Sequence, residues 1–455
     1  MGANRDATRM SEATASRSRS DITVKSEDVF PILEANILAD GFHLVVDLEK
    51  SHGSYMVDAL RGKEYLDCYT YFASLPIGHN HPKMRDDGFR AALMRAASSN
   101  TANSDLYTRE FAAFVQTFRE VAAPEEFRHL FFVAGGALAV ENALKVAFDW
   151  KRQKNRAAGI EGGGDKILHF REAFHGRSGY TLSLTNTDPT KTDDFPQFDW
   201  PRVTNPKLCF PIDEQEALAA EAGSVAEIEA AFDADPNGIA AIILEPIQGE
   251  GGDNHFRPKF FQQLRRIADE REAMLIFDEV QTGVGLTGTM WAFQQLGMTP
   301  DIVAFGKKTQ VCGIMSTDRV DDIETNVFHV SSRINSTWGG NLVDMVRAAR
   351  YLQIIDEDGL VEHAASVGEL FLGELLAIQK SFDTVTNVRG RGLMLAFDLP
   401  DGAQRDALRD RCWKTGLATL ACGERSVRFR PSLTFSAEDV GKAVELVRAA
   451  LAEPL

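Results

Sequence analysis

The sequence has little cysteine, no long apolar run and fewer basic than acidic residues. Its 455 residues include five cysteines, which are widely separated and form no Cys-x-x-Cys pair. This pattern argues against a zinc site or a disulfide framework, so no metal is expected, and it favours a reducing, cytoplasmic location. No apolar run is long enough for a membrane span, which argues against a membrane protein. The net charge of −17 argues against nucleic acid as a partner.

No Gly-x-Gly-x-x-Gly fingerprint occurs at Gly135–Ala137, before the predicted helix, which counts against a nicotinamide-dependent enzyme. The first 25 residues are polar and rich in Ser and Arg, and they lack the apolar core of a secretory signal. We expect residues 1–25 to form a disordered tail.

The middle of the chain alternates apolar, strand-like runs with amphipathic helical segments. The strand-like runs are His129–Val133, Lys166–Phe170, Ile239–Leu244, Met274–Phe277 and Ile302–Phe305. This alternation predicts an α/β domain with a mostly parallel sheet, which we assign to residues 91–345.

The two flanking regions carry shorter strands and helices. Residues 26–90 and 346–455 are expected to form one smaller α+β lobe, with strands at Gly392–Leu399, Leu417–Leu420 and Val427–Phe429. A long helix over Leu342–Asp356 would connect the two lobes.

Two of the predicted parallel strands end in residues that can carry chemistry, and ligands bind at the carboxyl ends of such strands. Asp278 follows one strand, and a buried carboxylate there needs a partner such as a protonated ring nitrogen. Lys307 and Lys308 follow another, and a buried lysine can form an imine with an aldehyde. Taken singly, a capping aspartate and a solvated lysine pair are the simpler explanations.

Two further segments have the composition of a cofactor pocket. Gly135–Ala137 opens a predicted helix, where small residues let backbone N–H groups approach a phosphate. Phe174 could stack on a flat cofactor, and Arg177 could hold a carboxylate. A tight turn, a core phenylalanine and a surface ion pair would account for these residues equally well.

Taken together, the motifs resemble those of the class III, or ω-, aminotransferases, which use pyridoxal 5′-phosphate (PLP) on the type I fold. The resemblance extends from about Ser54 to the C-terminus. The motifs that carry it are Tyr65–Asp67, Gly78–Pro82, Gly135–Lys145, Phe174–Arg177, Glu245–Gly252, Asp278–Gly283, Gly306–Lys307, Ser336–Asn341 and Arg389–Met394. It implies a large domain with a mostly parallel seven-stranded sheet and a smaller α+β domain.

Within this family, the segments Gly135–Lys145 and Phe305–Gly313 are most similar to those of the lysine 6-aminotransferases. Lys307 directly follows Gly306, as the catalytic lysine does in the family, and so Lys307 rather than Lys308 is expected to bind PLP. The implied reaction transfers the ε-amino group of L-lysine to 2-oxoglutarate, giving 2-aminoadipate 6-semialdehyde and L-glutamate.

The resemblance also implies roles for individual residues. The expected catalytic residues are Lys307, Asp278 and Glu250. The expected cofactor-binding residues are Gly135, Gly136, Ala137, Phe174, Glu245, Asp278, Gln281, Lys307, Ser336 and Thr337. The expected substrate-binding residues are Phe72, Arg177, Glu250, Gln281, Asn335 and Arg428. Asn335, Ser336 and Thr337 would reach the cofactor of a second subunit, and so a homodimer with shared active sites is expected.

The pairing of Glu250 with Arg428 is expected because one pocket must bind two different substrates. 2-Oxoglutarate brings two carboxylates, whereas lysine that reacts at its side-chain amine brings an apolar stem and one distant carboxylate. Arg177 could hold the distant carboxylate of either substrate, and Glu250 would mask Arg428 while lysine is bound. Arg430 is expected to point to the opposite face of its strand, and Phe72 to favour a long apolar stem.

Three alternatives stay open at this point. Another ω-aminotransferase, acting on ornithine, 4-aminobutyrate, diaminobutyrate or an acylated diamine, would share most of these motifs. A PLP aminomutase would need no keto-acid acceptor, and a binding or regulatory protein on the same fold would not turn substrate over. Glu250 could also be a structural acid in its glycine-rich loop.

Overall fold

The computed structural model describes residues 23–453. The predicted disordered tail at residues 1–25 therefore lies almost entirely outside the described residues. In chain order, the strands are β1 (Tyr55–Val57), β2 (Glu64–Asp67), β3 (His129–Val133), β4 (Lys166–Phe170), β5 (Arg202–Val203), β6 (Ile239–Leu244), β7 (Met274–Asp278), β8 (Ile302–Phe305), β9 (Cys312–Ser316), β10 (Thr386–Arg391), β11 (Met394–Asp398), β12 (Leu417–Ala418), β13 (Leu420–Cys422) and β14 (Ser426–Phe429).

The helices, in the same order, are α1 (Val29–Glu34), α2 (Thr70–Ala73), α3 (Asp87–Ser98), α4 (Arg109–Val121), α5 (Gly136–Ala157), α6 (Gly179–Leu184), α7 (Glu214–Ala234), α8 (Pro258–Glu270), α9 (Leu342–Glu357), α10 (Leu360–Gln379), α11 (Gly402–Thr415) and α12 (Ala437–Leu451). None of the helices within residues 23–453 combines the length and the apolar character that crossing a membrane requires.

A seven-stranded sheet forms the centre of the molecule, in the order β3-β9-β8-β7-β6-β4-β5. Strand β9 runs antiparallel to both of its neighbours, and the remaining pairs are parallel. Every residue of β6, β7 and β8 is buried, as expected for central strands covered on both faces. The predicted mostly parallel seven-stranded sheet is confirmed.

Helices cover the two faces of this sheet with separate apolar cores. Val140 and Leu144 of α5 belong to one core, together with Ile243 of β6. Phe260 of α8 belongs to the other, together with Ile242, the neighbour of Ile243 in the same strand. Because side chains alternate along a strand, each central strand contributes to both cores. The sheet is thereby fixed from both sides and can hold the groups at its carboxyl edge in place.

The smaller α+β region is built from both ends of the chain. Its sheets have the orders β1-β2-β12 and β10-β11-β14-β13. Strand β2 pairs in parallel with β12, so that Leu66 lies opposite Leu417. A strand from residues 26–90 and a strand from residues 346–455 thus pair in one sheet, whereas the division of the chain into domains stays a prediction.

Two predicted strands of this region were wrong in detail. The run Leu417–Leu420 is divided into β12 and β13, which belong to different sheets. The run Gly392–Leu399 was predicted to be a strand throughout, but the strand begins at Met394. Gly392 lies in the turn of the hairpin formed by β10 and β11, with φ +55°.

Candidate active site

A cavity of about 1120 Å³ opens at the carboxyl ends of the central strands. Most of the site residues predicted from the sequence line this cavity, although they are far apart along the chain. The predicted residues that line it are Phe72, Gly135, Gly136, Ala137, Phe174, Arg177, Glu245, Glu250, Asp278, Gln281 and Lys307.

Asp278 is the last residue of β7, and its carboxylate is held in a fixed orientation. Its Oδ2 lies 2.8 Å from Nδ1 of His175, and its Oδ1 accepts a hydrogen bond from the backbone N–H of Val280 at 3.1 Å. Asp278 is 5% exposed and His175 2% exposed. His175 was not predicted as a site residue, although it lies within the motif Phe174–Arg177, because its contact with Asp278 is apparent only in the folded chain. The pair presents a positioned carboxylate to the cavity.

The two adjacent lysines after β8 have different environments. Lys307 lines the cavity, and burial together with Arg428 and Arg430 lowers its pKa to about 8. Lys308 is buried, and its Nζ donates a hydrogen bond to the backbone oxygen of Gln281 at 2.7 Å. Lys307 is therefore the lysine whose amine can react in the cavity, whereas Lys308 supports the turn behind it.

The backbone at Lys307 is held in an unusual conformation. Its φ of +51° lies in the left-handed region, which costs a non-glycine residue roughly 1–3 kcal/mol. The side chain of Gln310 bridges the backbone oxygens of Lys307 and Ser74, at 3.1 and 2.8 Å. Gln310 was not predicted as a site residue, since these partners are apparent only in the folded chain.

The start of α5 forms one end of the cavity. Gly135 precedes the helix with φ +104°, a conformation that side chains disfavour, and it provides no capping side chain. The N–H groups of the first helical turn are therefore open to an anion, and the helix dipole adds to the attraction.

Glu245 joins two walls of the cavity. Its carboxylate accepts hydrogen bonds from the backbone N–H groups of Phe174, at 3.0 Å, and Gly249, at 2.9 Å. Burial raises the pKa of Glu245 to about 7. These bonds fix the backbone at Phe174 and the loop that carries Glu250.

A charged cluster surrounds Glu250. One carboxylate oxygen, Oε2, lies 2.8 Å from Nη2 of Arg428, and the other, Oε1, lies 2.7 Å from Nζ of Lys191. Burial raises the pKa of Glu250, but Arg428 and Lys191 outweigh this and lower it overall. The predicted pairing of Glu250 with Arg428 is present, whereas Lys191 was not predicted.

Arg428 has further hydrogen-bonding capacity. It is 3% exposed, and its Nε and Nη1 atoms are buried without a hydrogen-bond partner in the described part of the chain. Buried guanidinium groups are normally satisfied, so unpaired donors beside a cavity indicate a place for a ligand oxygen.

The prediction that Arg430 points away from the site was wrong. Its Nε donates to Oε1 of Gln281 at 3.0 Å, and its guanidinium pairs with Asp253. Residues two positions apart in an extended strand share a face, so Arg428 and Arg430 approach the cavity together. Gln281 thus has a fixed orientation at the cavity wall.

Four predicted site residues do not line the cavity of their own chain. Arg428 lies behind Glu250, with which it pairs, and the other three are Asn335, Ser336 and Thr337. Asn335 and Thr337 are exposed and Ser336 is half-buried, and the backbone oxygen of Thr337 accepts a hydrogen bond from Ser104 at 3.0 Å. Their role towards a second subunit stays a prediction at this point.

The family to which the chain belongs agrees with this geometry. The model for class-III aminotransferases matches residues 38–451. The chain is a class III aminotransferase. Enzymes of this class use PLP, and the cavity has a group for each part of that cofactor. The start of α5 fits the phosphate, Phe174 fits the ring face, Asp278 fits the ring nitrogen and Lys307 fits the aldehyde carbon.

Individual class III aminotransferases are similar over nearly the whole chain. The L-lysine-epsilon aminotransferase of Mycobacterium tuberculosis is 53% identical over 426 residues, covering 93% of this chain and 95% of that protein. That of Streptomyces clavuligerus is 48% identical over 427 residues, covering 92% and 93%. The solved structure of lysine aminotransferase from M. tuberculosis, in its internal aldimine form, superposes with a TM-score of 0.93 at 52% identity, covering 94% of this chain and 99% of that one.

Proposed function

We propose that this class III aminotransferase transfers the ε-amino group of L-lysine to 2-oxoglutarate, giving 2-aminoadipate 6-semialdehyde and L-glutamate. The observation that carries the proposal is the ion pair between Glu250 and Arg428 beside the cavity that contains Lys307. Similarity to the L-lysine-epsilon aminotransferases of Mycobacterium tuberculosis and Streptomyces clavuligerus supports the same conclusion.

The arrangement of charges suits lysine in the first half-reaction. Arg177 lines the cavity, is exposed, and has no ion pair within residues 23–453, so it can take the distant carboxylate of lysine. Glu250 neutralises Arg428. The aliphatic stem of lysine then lies beside an ion pair rather than beside an unpaired guanidinium. The rings of Tyr71 and Phe72 add apolar wall.

The same groups suit a dicarboxylate in the second half-reaction. The carboxylate next to the keto group of 2-oxoglutarate would take Arg428, using donors that have no partner in the described chain. Arg177 would hold the second carboxylate. Glu250 would have to leave Arg428, so the pair acts as the element that distinguishes the two substrates.

The remaining residues would manage protons and orientation. PLP supplies an aldehyde that condenses with amines and a ring that takes up an electron pair from the adjacent carbon. Lys307 would take the proton from the ε-carbon of lysine and return it during the transfer. Asp278, oriented by His175, would keep the ring nitrogen protonated, and Phe174 would stack on the ring.

A substrate panel tests the proposal. Purified holoenzyme would be assayed with 2-oxoglutarate and, in turn, L-lysine, L-ornithine, 4-aminobutyrate, 2,4-diaminobutyrate and an acylated diamine. We expect the highest kcat/KM with L-lysine, and no turnover when the keto acid is omitted. Preference for another donor would replace lysine in the proposal, and product formation without keto acid would indicate an aminomutase.

We also propose that the active unit is a homodimer in which Asn335, Ser336 and Thr337 contact the cofactor phosphate of the partner. The observation behind this is that all three lie outside their own cavity. Co-expression of Lys307→Ala with Thr337→Asp tests it, because a mixed dimer would contain one intact site. We expect each variant alone to be inactive and the mixture to recover about a quarter of wild-type activity. No recovery from isolated mixed dimers would exclude shared sites.

The cytoplasmic location of the protein stays a prediction.

A further inference from the structure

Lys191 is a third charged group on the Glu250–Arg428 pair, and neither the substrates nor the cofactor account for it. It ends the short 3-10 turn Pro189–Lys191, which Asp188 caps through the N–H of Thr190. Its Nζ lies 2.7 Å from Oε1 of Glu250 and 5.7 Å from the ring centroid of Phe174. The side chain is 22% exposed, so its position is largely enclosed.

We propose that Lys191 is a positioning residue that determines dual-substrate specificity, because it retains Glu250 when a dicarboxylate takes Arg428. The inference rests on the proposed function, since it concerns how the same pocket changes between lysine and 2-oxoglutarate. Lys191 does not line the cavity, and it therefore acts through Glu250 rather than on the substrate.

The two ion pairs use different oxygens of one carboxylate. Oε2 faces Arg428 and Oε1 faces Lys191, so the first contact can open while the second stays closed. A rotation of Glu250 towards Lys191 would release Arg428 without leaving the carboxylate unpaired.

The energetic need for a second partner follows from burial. The side chain of Glu250 is only 30% exposed, and an enclosed carboxylate that loses its single partner is strongly destabilised. Lys191 keeps Glu250 paired after displacement, and without it 2-oxoglutarate and glutamate would bind more weakly. Lys191 also competes with Arg428 for Glu250 and so weakens that ion pair. Both effects of Lys191 favour dicarboxylate binding and leave lysine binding almost unchanged.

The phenyl ring of Phe174 gives Lys191 a second attachment. An ammonium group near an aromatic face gains a modest attraction, which keeps it in place when Glu250 moves. Lys191 thereby contacts the ring that would stack on the cofactor. It stays in place while the carboxylate of Glu250 rotates away from Arg428.

Separate half-reactions of the holoenzyme test the inference. Lys191→Met and Lys191→Arg would be compared with wild type by rapid mixing of the enzyme with lysine or with glutamate, and of the aminated enzyme with 2-oxoglutarate, following cofactor absorbance. Lys207→Met is the matched control, because Lys207 also pairs with a carboxylate at 2.7 Å, that of Glu172, but does not line the cavity. Thermal unfolding would verify that all variants fold.

We expect Lys191→Met to raise the half-saturating concentration of glutamate and of 2-oxoglutarate about tenfold, with the lysine half-reaction changed less than about twofold. The maximal rates should stay near those of wild type, Lys191→Arg should restore dicarboxylate binding, and Lys207→Met should have no selective effect. In a Glu250→Gln background, Lys191→Met should cause no further selective loss.

The possible failures are distinguishable. Equal changes in both half-reactions, no change, or a selective loss that persists in the Glu250→Gln background would overturn the role of Lys191. If wild-type enzyme reacts with glutamate but not with lysine, the proposed function fails. The glutamate half-reaction would still report on Lys191 in that case.

Discussion

Replacing Glu250 with Gln should impair the lysine half-reaction much more than the glutamate half-reaction. The substitution keeps the size of the side chain but removes the charge that neutralises Arg428. In the free variant, water entering the cavity can solvate the guanidinium. When lysine binds, its aliphatic stem displaces that water and faces an uncompensated cation, whereas a glutamate carboxylate pairs with it directly.

The size of the effect follows from the burial of the pair. Removing one partner of a buried ion pair costs about 3–5 kcal/mol. Arg428 is 3% exposed but the Glu250 side chain is 30% exposed, so we take roughly half of that cost, ~2 kcal/mol. This corresponds to a loss of about thirtyfold in kcat/KM for lysine, with less than about threefold for glutamate.

The assay is the rate of each half-reaction under single-turnover conditions, as a function of substrate concentration. Glu250→Asp provides a control, since it keeps the charge and shortens the side chain. Equal losses with lysine and glutamate would show that Glu250 has a structural role in its loop. A loss confined to glutamate would refute the masking of Arg428.

Three further predictions concern the cofactor end of the cavity. Borohydride reduction of the holoenzyme followed by peptide mapping should label Lys307, and Lys307→Ala should lose the label while Lys308→Ala keeps it; a label on Lys308 would contradict the assignment. Because burial, Arg428 and Arg430 lower the pKa of Lys307 to about 8, its neutral, reactive amine becomes populated as the pH rises through that value. The rate at which apoenzyme binds added PLP should therefore rise between about pH 7 and pH 9, and Arg430→Met should shift the midpoint upwards; a flat profile would argue against the lowered pKa. His175→Phe should lower kcat about tenfold with little change in KM, because Asp278 loses a hydrogen bond to a charged group. A change in KM alone would mean that His175 affects substrate binding instead.

Much of the large domain could be predicted from the sequence, because its central strands are short apolar runs with clear ends. The bounds predicted for β3, β4, β6 and β8 agree with the structure, and β7 is one residue longer, ending at Asp278. Strands β5 and β9 were missed. The first has only two residues, and the second follows Lys307–Gln310 so closely that it was interpreted as part of a motif.

Some residues of the cavity could likewise be predicted from the sequence, and others could not. Those at strand ends, such as Asp278 and Lys307, have a local signal and the family resemblance strengthens it. Lys191 and His175 have no local signal, because their partners lie far away along the chain. Arg430 was misplaced through an error in strand periodicity that the sequence alone was sufficient to avoid.

The parallel pairing of β2 with β12 has a consequence for the synthesis of the chain. Leu66 emerges early from the ribosome and its partner Leu417 near the end, so this contact has a very large sequence separation. Tyr71 and Phe72, which lie a few residues after β2, cannot reach their final position beside the cavity until β12 has been made. A nascent chain can thus assemble its central sheet, which ends at β9, before β12 is made, whereas the substrate-facing wall forms later.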